Sequence, residues 1–154
     1  MSAFNPDTFL TTTVKGALDT KLIPVPEGDW SAQVSKISVR KQKGKDNEEY
    51  IVLDLLWHVL DEEPKRVTGM DKPTVKQSIF LDITPEGGLD MSKGKNVQLG
   101  KVREAVGQNQ DGKAWSPSML NGVTAVVQVK HRPDEKTGEI YADVKSVAKS
   151  KRAA

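Results

Sequence analysis

Residues 28–39 read GDWSAQVSKISV, and the hydrophobic pattern changes phase part-way along this segment. Apolar residues first occupy even-numbered positions, at Trp30, Ala32 and Val34, and then odd-numbered positions, at Ile37 and Val39. Alternation indicates a β-strand with one buried face, and a change of parity within a strand requires an inserted residue, a β-bulge. The segment therefore predicts a long, bent first strand with a bulge near Ser35 or Lys36.

Apolar and polar residues also alternate in two segments further along the chain. EYIVLDLLWHVL, residues 49–60, follows the charged turn RKQKGKDNEE, in which Gly44 suits a hairpin. VKQSIFLDI, residues 75–83, follows the polar connection DEEPKRVTGMDKP. We therefore expect a second strand that pairs antiparallel with the first, and then a third strand.

After the third strand the apolar residues are spaced as in a helix, and further along they alternate with polar residues again, as in strands. GGLDMSKGKN, residues 87–96, leads into a helix predicted over roughly 96–107, which Asn96 or Ser92 caps and Gly107 ends. VTAVVQVKH and EIYADVKSVA then predict strands four and five, joined by the turn HRPDEKTG, with Ile140, Ala142 and Val144 directed inward. Residues 1–26 predict a loosely docked arm with a short helical turn near Val14–Leu18.

This order of elements predicts the fold class, an all-β protein with one helix. Three strands, a helix and two strands, with a bulged first strand, are the order β-β-β-α-β-β of a five-stranded Greek-key barrel of the OB type. We divide the chain into an N-terminal arm (1–26), an OB-fold domain (27–148) and a short basic tail (149–154). The alternative is an unrelated α+β domain with a meander sheet.

The glycine-rich segment between strand three and the helix is not a nucleotide-binding P-loop. A P-loop needs four residues between its first glycine and the Gly-Lys pair, and then Ser or Thr. Here five residues separate Gly88 from Gly94-Lys95, and Asn96 follows the lysine. We therefore interpret the segment as a structural turn.

Composition excludes several classes of function. The 154 residues contain no cysteine and carry a net charge of +2, and no apolar run approaches the roughly 18 residues of a membrane helix. The two histidines, His58 and His131, lie in different predicted strands, and no catalytic or metal-binding motif is present. We expect a cytoplasmic protein that is not an enzyme, needs no cofactor or metal, and does not contact a membrane.

Basic and aromatic residues instead suggest a nucleic-acid interface. In an OB barrel the binding surface is the exposed face of strands two and three, between the first and fourth loops. We call residues 40–49 and 130–139 the first and second basic loops. The predicted contacts are Lys36, Arg40, Lys41, Lys43 and Lys45; Lys130, His131, Arg132 and Lys136; Lys76 and Lys145; and the aromatic rings of Tyr50, Phe80 and Tyr141.

Three segments resemble phage-encoded single-stranded DNA-binding proteins of the OB type. They are PEGDWSAQV, SIFLDITPEGGLDMSKGKNVQLGKVREAVGQN and KHRPDEKTGEIYADVKSVA, and the similarity extends over most of residues 4–148. The resemblance implies a protein that coats unpaired DNA in the host cytoplasm during phage replication or recombination, with replication or recombination proteins as further partners. The basic ending KSVAKSKRAA departs from the acidic tail of many cellular single-strand binders.

Two other functions remain open from the sequence. A phage structural or assembly protein can use the same small barrel as a protein-interaction module, since a fold does not dictate a function. An RNA or duplex binder shares the positive charge but does not need aromatic rings for stacking. The sequence leaves the oligomeric state undetermined.

Overall fold

The computed structural model describes residues 3–150. The five strands are β1 (Gly28–Lys43), β2 (Glu49–Val59), β3 (Thr74–Leu81), β4 (Thr124–Pro133) and β5 (Ile140–Ala148). The helices are α1 (Pro6–Phe9), α2 (Glu62–Thr68), α3 (Val97–Ala105) and a 3-10 helix (Pro117–Leu120). All five predicted strands are therefore present, in the predicted order.

The strands close into a single mixed barrel. Around the barrel their order is β1-β2-β3-β5-β4, and β4 pairs back with β1. Four of the five pairings are antiparallel, and the β3–β5 pairing is parallel. The protein is thus a closed five-stranded barrel with few helices, consistent with an OB-like all-β fold.

The predicted bulge in β1 is confirmed. The pairing of β1 with β2 shifts register between Val34 and Lys36, so Ser35 is the inserted residue. The first part of β1 pairs with β4 and most of its length pairs with β2, and Ala32 pairs with both neighbours. A bulge increases the local bend and twist, which allows one strand to take part in both sides of the barrel.

The barrel interior is filled by the inward-facing side chains of all five strands. Leu53, Leu55 and Trp57 on β2 are completely buried. One interior residue of β3 is polar: Gln77 is 8% exposed and accepts a hydrogen bond of 3.0 Å from the Trp57 indole N–H. A buried indole needs such an acceptor, so Gln77 lets a large polar-tipped ring occupy the core.

The inward positions of β5 are only partly as predicted. Val144 is buried and Ala142 is half-buried, but Ile140 is 46% exposed, so its inward assignment is wrong. A second bulge explains why Val147 packs on the core instead. The register shifts between Gln128 and Val129 of β4, which leaves Lys145 as the extra residue and changes the parity of β5 beyond it.

The prediction of one helix is wrong, because the structure describes three α-helices and a 3-10 helix. Helix α2 lies in the connection that we interpreted as polar loop. Glu62 and Glu63 occupy its first turn, where carboxylates interact favourably with the helix dipole, and Gly69 ends it in a left-handed conformation at φ 72°. The helical turn near the N-terminus is α1, capped by Asn5, and not Val14–Leu18.

Asn96 fixes the connection from β3 to α3. It precedes the helix with φ 54° and makes no side-chain cap; instead its side-chain amide donates to the carbonyl oxygens of Asp82 and Asp90. The amide oxygen of Asn96 accepts from the Asp82 N–H at 2.8 Å. These bonds hold the glycine-rich segment as a compact turn, and α3 then buries Leu99 and Val102 in the core against β3 and β5.

The segment before β1 is mostly exposed. Leu10, Val14, Leu18 and Leu22 are between 71% and 90% exposed. Val25, by contrast, is 5% exposed and belongs to the barrel core. Among residues 3–150, no helix is long and apolar enough to cross a membrane.

Candidate nucleic-acid interface

The outward-facing side chains of β2 and β3 lie on one side of the barrel, which we call the outer face, although one of them, Val52, is completely covered by its neighbours. Its members are Tyr50, Val52, Asp54 and Leu56 on β2 and Lys76, Ser78 and Phe80 on β3. Each has the opposite parity to the interior residues Leu53, Leu55 and Ile79. In cross-strand register, Val52 is opposite Phe80 and Leu56 is opposite Lys76.

The two basic loops lie at opposite ends of this face. The first basic loop lies beside the end of β3, where Ile51 pairs with Leu81. Only its residues 44–48 are a turn, because β1 extends to Lys43, so Arg40, Lys41 and Lys43 lie in the strand and not in a loop as predicted. The second basic loop precedes the parallel partner β5, where Asp143 pairs with Lys76 near the start of β3. The predicted arrangement, a face between two basic loops, is therefore present in the barrel.

Tyr50 and Phe80 form an aromatic platform at the end of the face nearest the first basic loop. Their ring centroids lie 5.9 Å apart with an interplanar angle of 18°, a stacked arrangement. Phe80 is 54% exposed. The pair therefore presents flat apolar surface to solvent, as stacking of an unpaired base requires.

The first basic loop holds Tyr50 in place. The Tyr50 hydroxyl donates a 2.9 Å hydrogen bond to the Asp46 carboxylate, which raises the pKa of the tyrosine above its ordinary value. A side chain at Gly44 would place its Cβ 2.5 Å from the Tyr50 ring, so any larger residue there would have to displace the ring. Asn47, not Gly44, adopts the left-handed conformation of this turn, at φ 64°.

An acidic side chain lies at the centre of the outer face. Asp54 is 9% exposed and accepts 2.7 Å hydrogen bonds from Arg40 Nε and the Ser78 hydroxyl, and Lys76 Nζ lies 3.8 Å away. Burial alone raises the pKa of Asp54, but the hydrogen bonds from Arg40 and Ser78 and the positive charges of Lys76 and Arg40 together outweigh it, so the pKa lies below its usual value. Asp54 thus stays ionised, and it orients two of the predicted cationic residues.

At the other end of the face, Arg132 and Tyr141 contact each other across the β4–β5 pair. The Arg132 guanidinium carbon lies 5.1 Å from the centroid of the Tyr141 ring, which is 40% exposed. Arg132 Nε also donates to the Asp143 carboxylate at 2.6 Å, which raises the pKa of the guanidinium further. Arg132 and Tyr141 are therefore pre-organised as a pair.

His131 has a structural contact in the second basic loop. Its ring nitrogen Nε2 donates to the Val25 carbonyl oxygen at 2.8 Å, and its backbone N–H donates to the Glu27 carboxylate. The residue lies on the inward parity of β4, between the outward Lys130 and Arg132. His131 thus ties the segment before β1 to the barrel.

The predicted cationic residues fall into two groups. Arg40 and Lys76 interact with Asp54 of the outer face, and Arg132 interacts with Asp143 of β5. Lys41 Nζ lies 3.3 Å from the Glu49 carboxylate. Within the range 3–150 the others are exposed and make no ion pair: Lys36, Lys43, Lys45, Lys130, Lys136 and Lys145. Sequence reasoning missed the acidic partners, although the parity of Asp54 already placed it on the same face as Tyr50.

Comparisons with protein-family models and with curated protein sequences gave no match. No protein-family model matches the chain, and no curated protein sequence is significantly similar to it. In the described part of the chain, no three acidic or histidine side chains group together as a metal site would require.

Proposed function

We propose that this protein is a non-enzymatic single-stranded DNA-binding protein. The observation that carries the proposal is the exposed, stacked pair of Tyr50 and Phe80 on a face that ends in a basic loop on either side. Base–aromatic stacking contributes about 1–3 kcal/mol per base and tolerates any sequence, because every base has a π-face. Binding without strong sequence preference follows.

The cationic residues supply the second part of the binding energy. Exposed lysines in the two loops, among them Lys43, Lys45 and Lys136, release condensed counterions when they contact phosphates, so affinity falls as salt concentration rises. Arg40 and Lys76 stay on the face because Asp54 holds them. Duplex DNA binds more weakly, since its bases are already stacked and do not reach the aromatic platform.

The biological setting in this proposal rests on the sequence resemblance. The closed five-stranded barrel is consistent with an OB-like fold, which supports our proposal that the domain is of the OB type and that residues 1–26 form an arm. Coating of unpaired DNA in phage replication or recombination, in the host cytoplasm, then accounts for sequence-independent binding. Replication or recombination proteins are the additional partners in this setting.

The direct test compares single and double strands. We would titrate the protein with a labelled oligothymidine of about 30 nucleotides and with a matched duplex, at low and high salt, and follow fluorescence anisotropy. Tight, salt-sensitive binding to the single strand alone is the expected result. Equal binding to both that vanishes at moderate salt would reduce the interaction to nonspecific charge and refute the stacking mechanism.

A second candidate function, protein interaction in phage assembly, is favoured by a different surface. A groove of about 680 Å³ beside α3 is lined by the apolar side chains of Val39, Ile51, Met91 and Trp115, among others. Val39 and Met91 are 59% and 79% exposed, respectively. The double variant Tyr50→Ala with Phe80→Ala separates the two candidates, since it removes DNA binding and leaves an assembly contact at this groove unchanged.

A further inference from the structure

A second groove lies at the end of the outer face nearest the second basic loop, and the N-terminal arm forms one of its walls. The groove has a volume of about 460 Å³, within the range of small-ligand sites. Leu22 and Ile23 of the arm line it together with Tyr141 of β5, and Leu56 and Lys76 belong to the outer face. The groove is thus continuous with the surface that we assign to DNA.

Five large, exposed apolar side chains lie together here. Leu22, Ile23, Met70, Ile140 and Tyr141 are each between 40% and 79% exposed, and all five line this one groove. An exposed apolar patch with a polar rim commonly marks a binding site. The rim is mixed in charge: it carries the cations Lys76 and Arg132 and the acids Glu139 and Asp143, and Arg132 contacts both Asp143 and the Tyr141 ring.

The arm is tied to the barrel just after Leu22, through Val25, and just before it Lys21 lies near the second basic loop. Lys21 lies over the turn of the second basic loop, because a Cβ at Gly138 would be 3.2 Å from its Nζ. Val25 is buried in the core and its carbonyl oxygen accepts from the His131 ring. The wall formed by Leu22 and Ile23 is therefore held next to Tyr141.

We propose that this groove is a pocket for one unpaired nucleobase, in which the arm residues Leu22 and Ile23 face Tyr141 across the base. The inference rests on the proposed single-strand binding and adds the arm to the interface. The base covers the exposed apolar walls, and the neighbouring phosphates of the DNA backbone lie towards Lys76 and Arg132. In the parallel register Tyr141 lies level with Thr74, six residues from Phe80 along β3, or about 20 Å at the rise of a strand. A single DNA strand therefore stacks one base on Tyr141 at one end of the outer face and another on the Tyr50–Phe80 platform at the other end.

The arm itself offers a matched pair of variants for the test. Leu22 and Leu18 are the same residue type, four positions apart, and are 79% and 78% exposed, but only Leu22 lines the groove. We would measure the affinity of Leu22→Ser and Leu18→Ser for an oligothymidine of about 30 nucleotides and for an abasic deoxyribose-phosphate strand of the same length. Thermal unfolding of each variant checks that the barrel is intact.

The expected result is a loss of about three- to ten-fold in affinity for oligothymidine in Leu22→Ser alone, a fraction of a full stacking contact. Affinity for the abasic strand stays unchanged, because the pocket holds a base and not a phosphate. Tyr141→Ala should reproduce this pattern with a larger loss.

Other outcomes overturn the inference. Equal effects of both leucine variants, or an equal loss on the abasic strand, would remove the base pocket, and tighter binding by Leu22→Ser would make the arm a competitor for the site. A change in oligomeric state of Leu22→Ser would assign the groove to a second copy of the chain. If the wild-type protein does not prefer single-stranded to duplex DNA, the proposed function fails as well. If Tyr50→Ala weakens binding and Leu22→Ser does not, only the base pocket fails.

Discussion

Replacement of Phe80 by alanine tests the aromatic platform directly. The ring is 54% exposed and stacks on Tyr50 at 5.9 Å, so its removal should lower the free energy of unfolding by only about 1–2 kcal/mol. Loss of one base-stacking contact should cost about 1–3 kcal/mol of binding free energy, which is about a 5- to 150-fold loss of affinity. The effect on binding should therefore exceed what a small loss of stability explains.

Phe9 provides the matched control. It is 56% exposed and contacts Phe4 with ring centroids 5.2 Å apart, far along the chain from the outer face. We would follow the anisotropy of a labelled oligothymidine with Phe80→Ala and Phe9→Ala at several salt concentrations. The slope of affinity against salt should not change in either variant, because neither ring contacts a phosphate. Unchanged affinity in Phe80→Ala, or an equal loss in Phe9→Ala, would refute the role of the platform.

Three further predictions concern charge, the core and pH. Replacing Lys43 and Lys45 together by alanine should reduce the slope of log affinity against log salt by about 1.4, at about 0.7 per lost phosphate contact, in the same titration; an unchanged slope would place both lysines off the backbone. Gln77→Leu leaves the buried Trp57 N–H without its acceptor, and should lower the free energy of unfolding by about 1–3 kcal/mol in urea denaturation. Burial and nearby lysines lower the pKa of His58, whose buried Nε2 has no hydrogen-bond partner. The unfolded state therefore binds a proton at a higher pH than the native state does. The free energy of unfolding should fall as the pH drops below about 6.5 and stop falling for this reason below the lower native pKa. The variant His58→Leu should lose this part of the pH dependence.

The strands were predictable because a barrel imposes its period on the sequence locally. The phase change after Val34 predicted the bulge, since one inserted residue must reverse the face of every later side chain. Helix α2 was not predictable in the same way. It has seven residues and no apolar periodicity, and it forms through the charges and the left-handed Gly69 at its ends. Ile140 keeps the parity of Ala142 and Val144 but is the first residue of β5, where the strand leaves the barrel, so alternation alone did not predict its exposure.

The candidate site also combines features that the sequence predicted with features that it could not predict. The parity of Tyr50 and Phe80 predicted that they share a face, because each lies on the side of its strand opposite to the apolar interior residues. Which cations are paired could not be predicted, because Asp54 meets Arg40 only across the β1–β2 ladder. The position of Leu22 follows from the contact of His131 with Val25, between residues more than a hundred positions apart, and no local pattern encodes it.

The dual pairing of β1 also determines the sequence of events in folding. Its partner β2 follows after a short turn, and such a hairpin forms within microseconds. Its other partner is distant, since Gly28 pairs with Val129, and long-range strand pairing is slow because loop closure costs entropy before contacts form. We expect β4 and β5 to join last, which pulse-labelled hydrogen exchange of their amides would show. The aromatic platform then exists early on the β1–β2–β3 meander, whereas the second basic loop reaches its place only when the barrel closes.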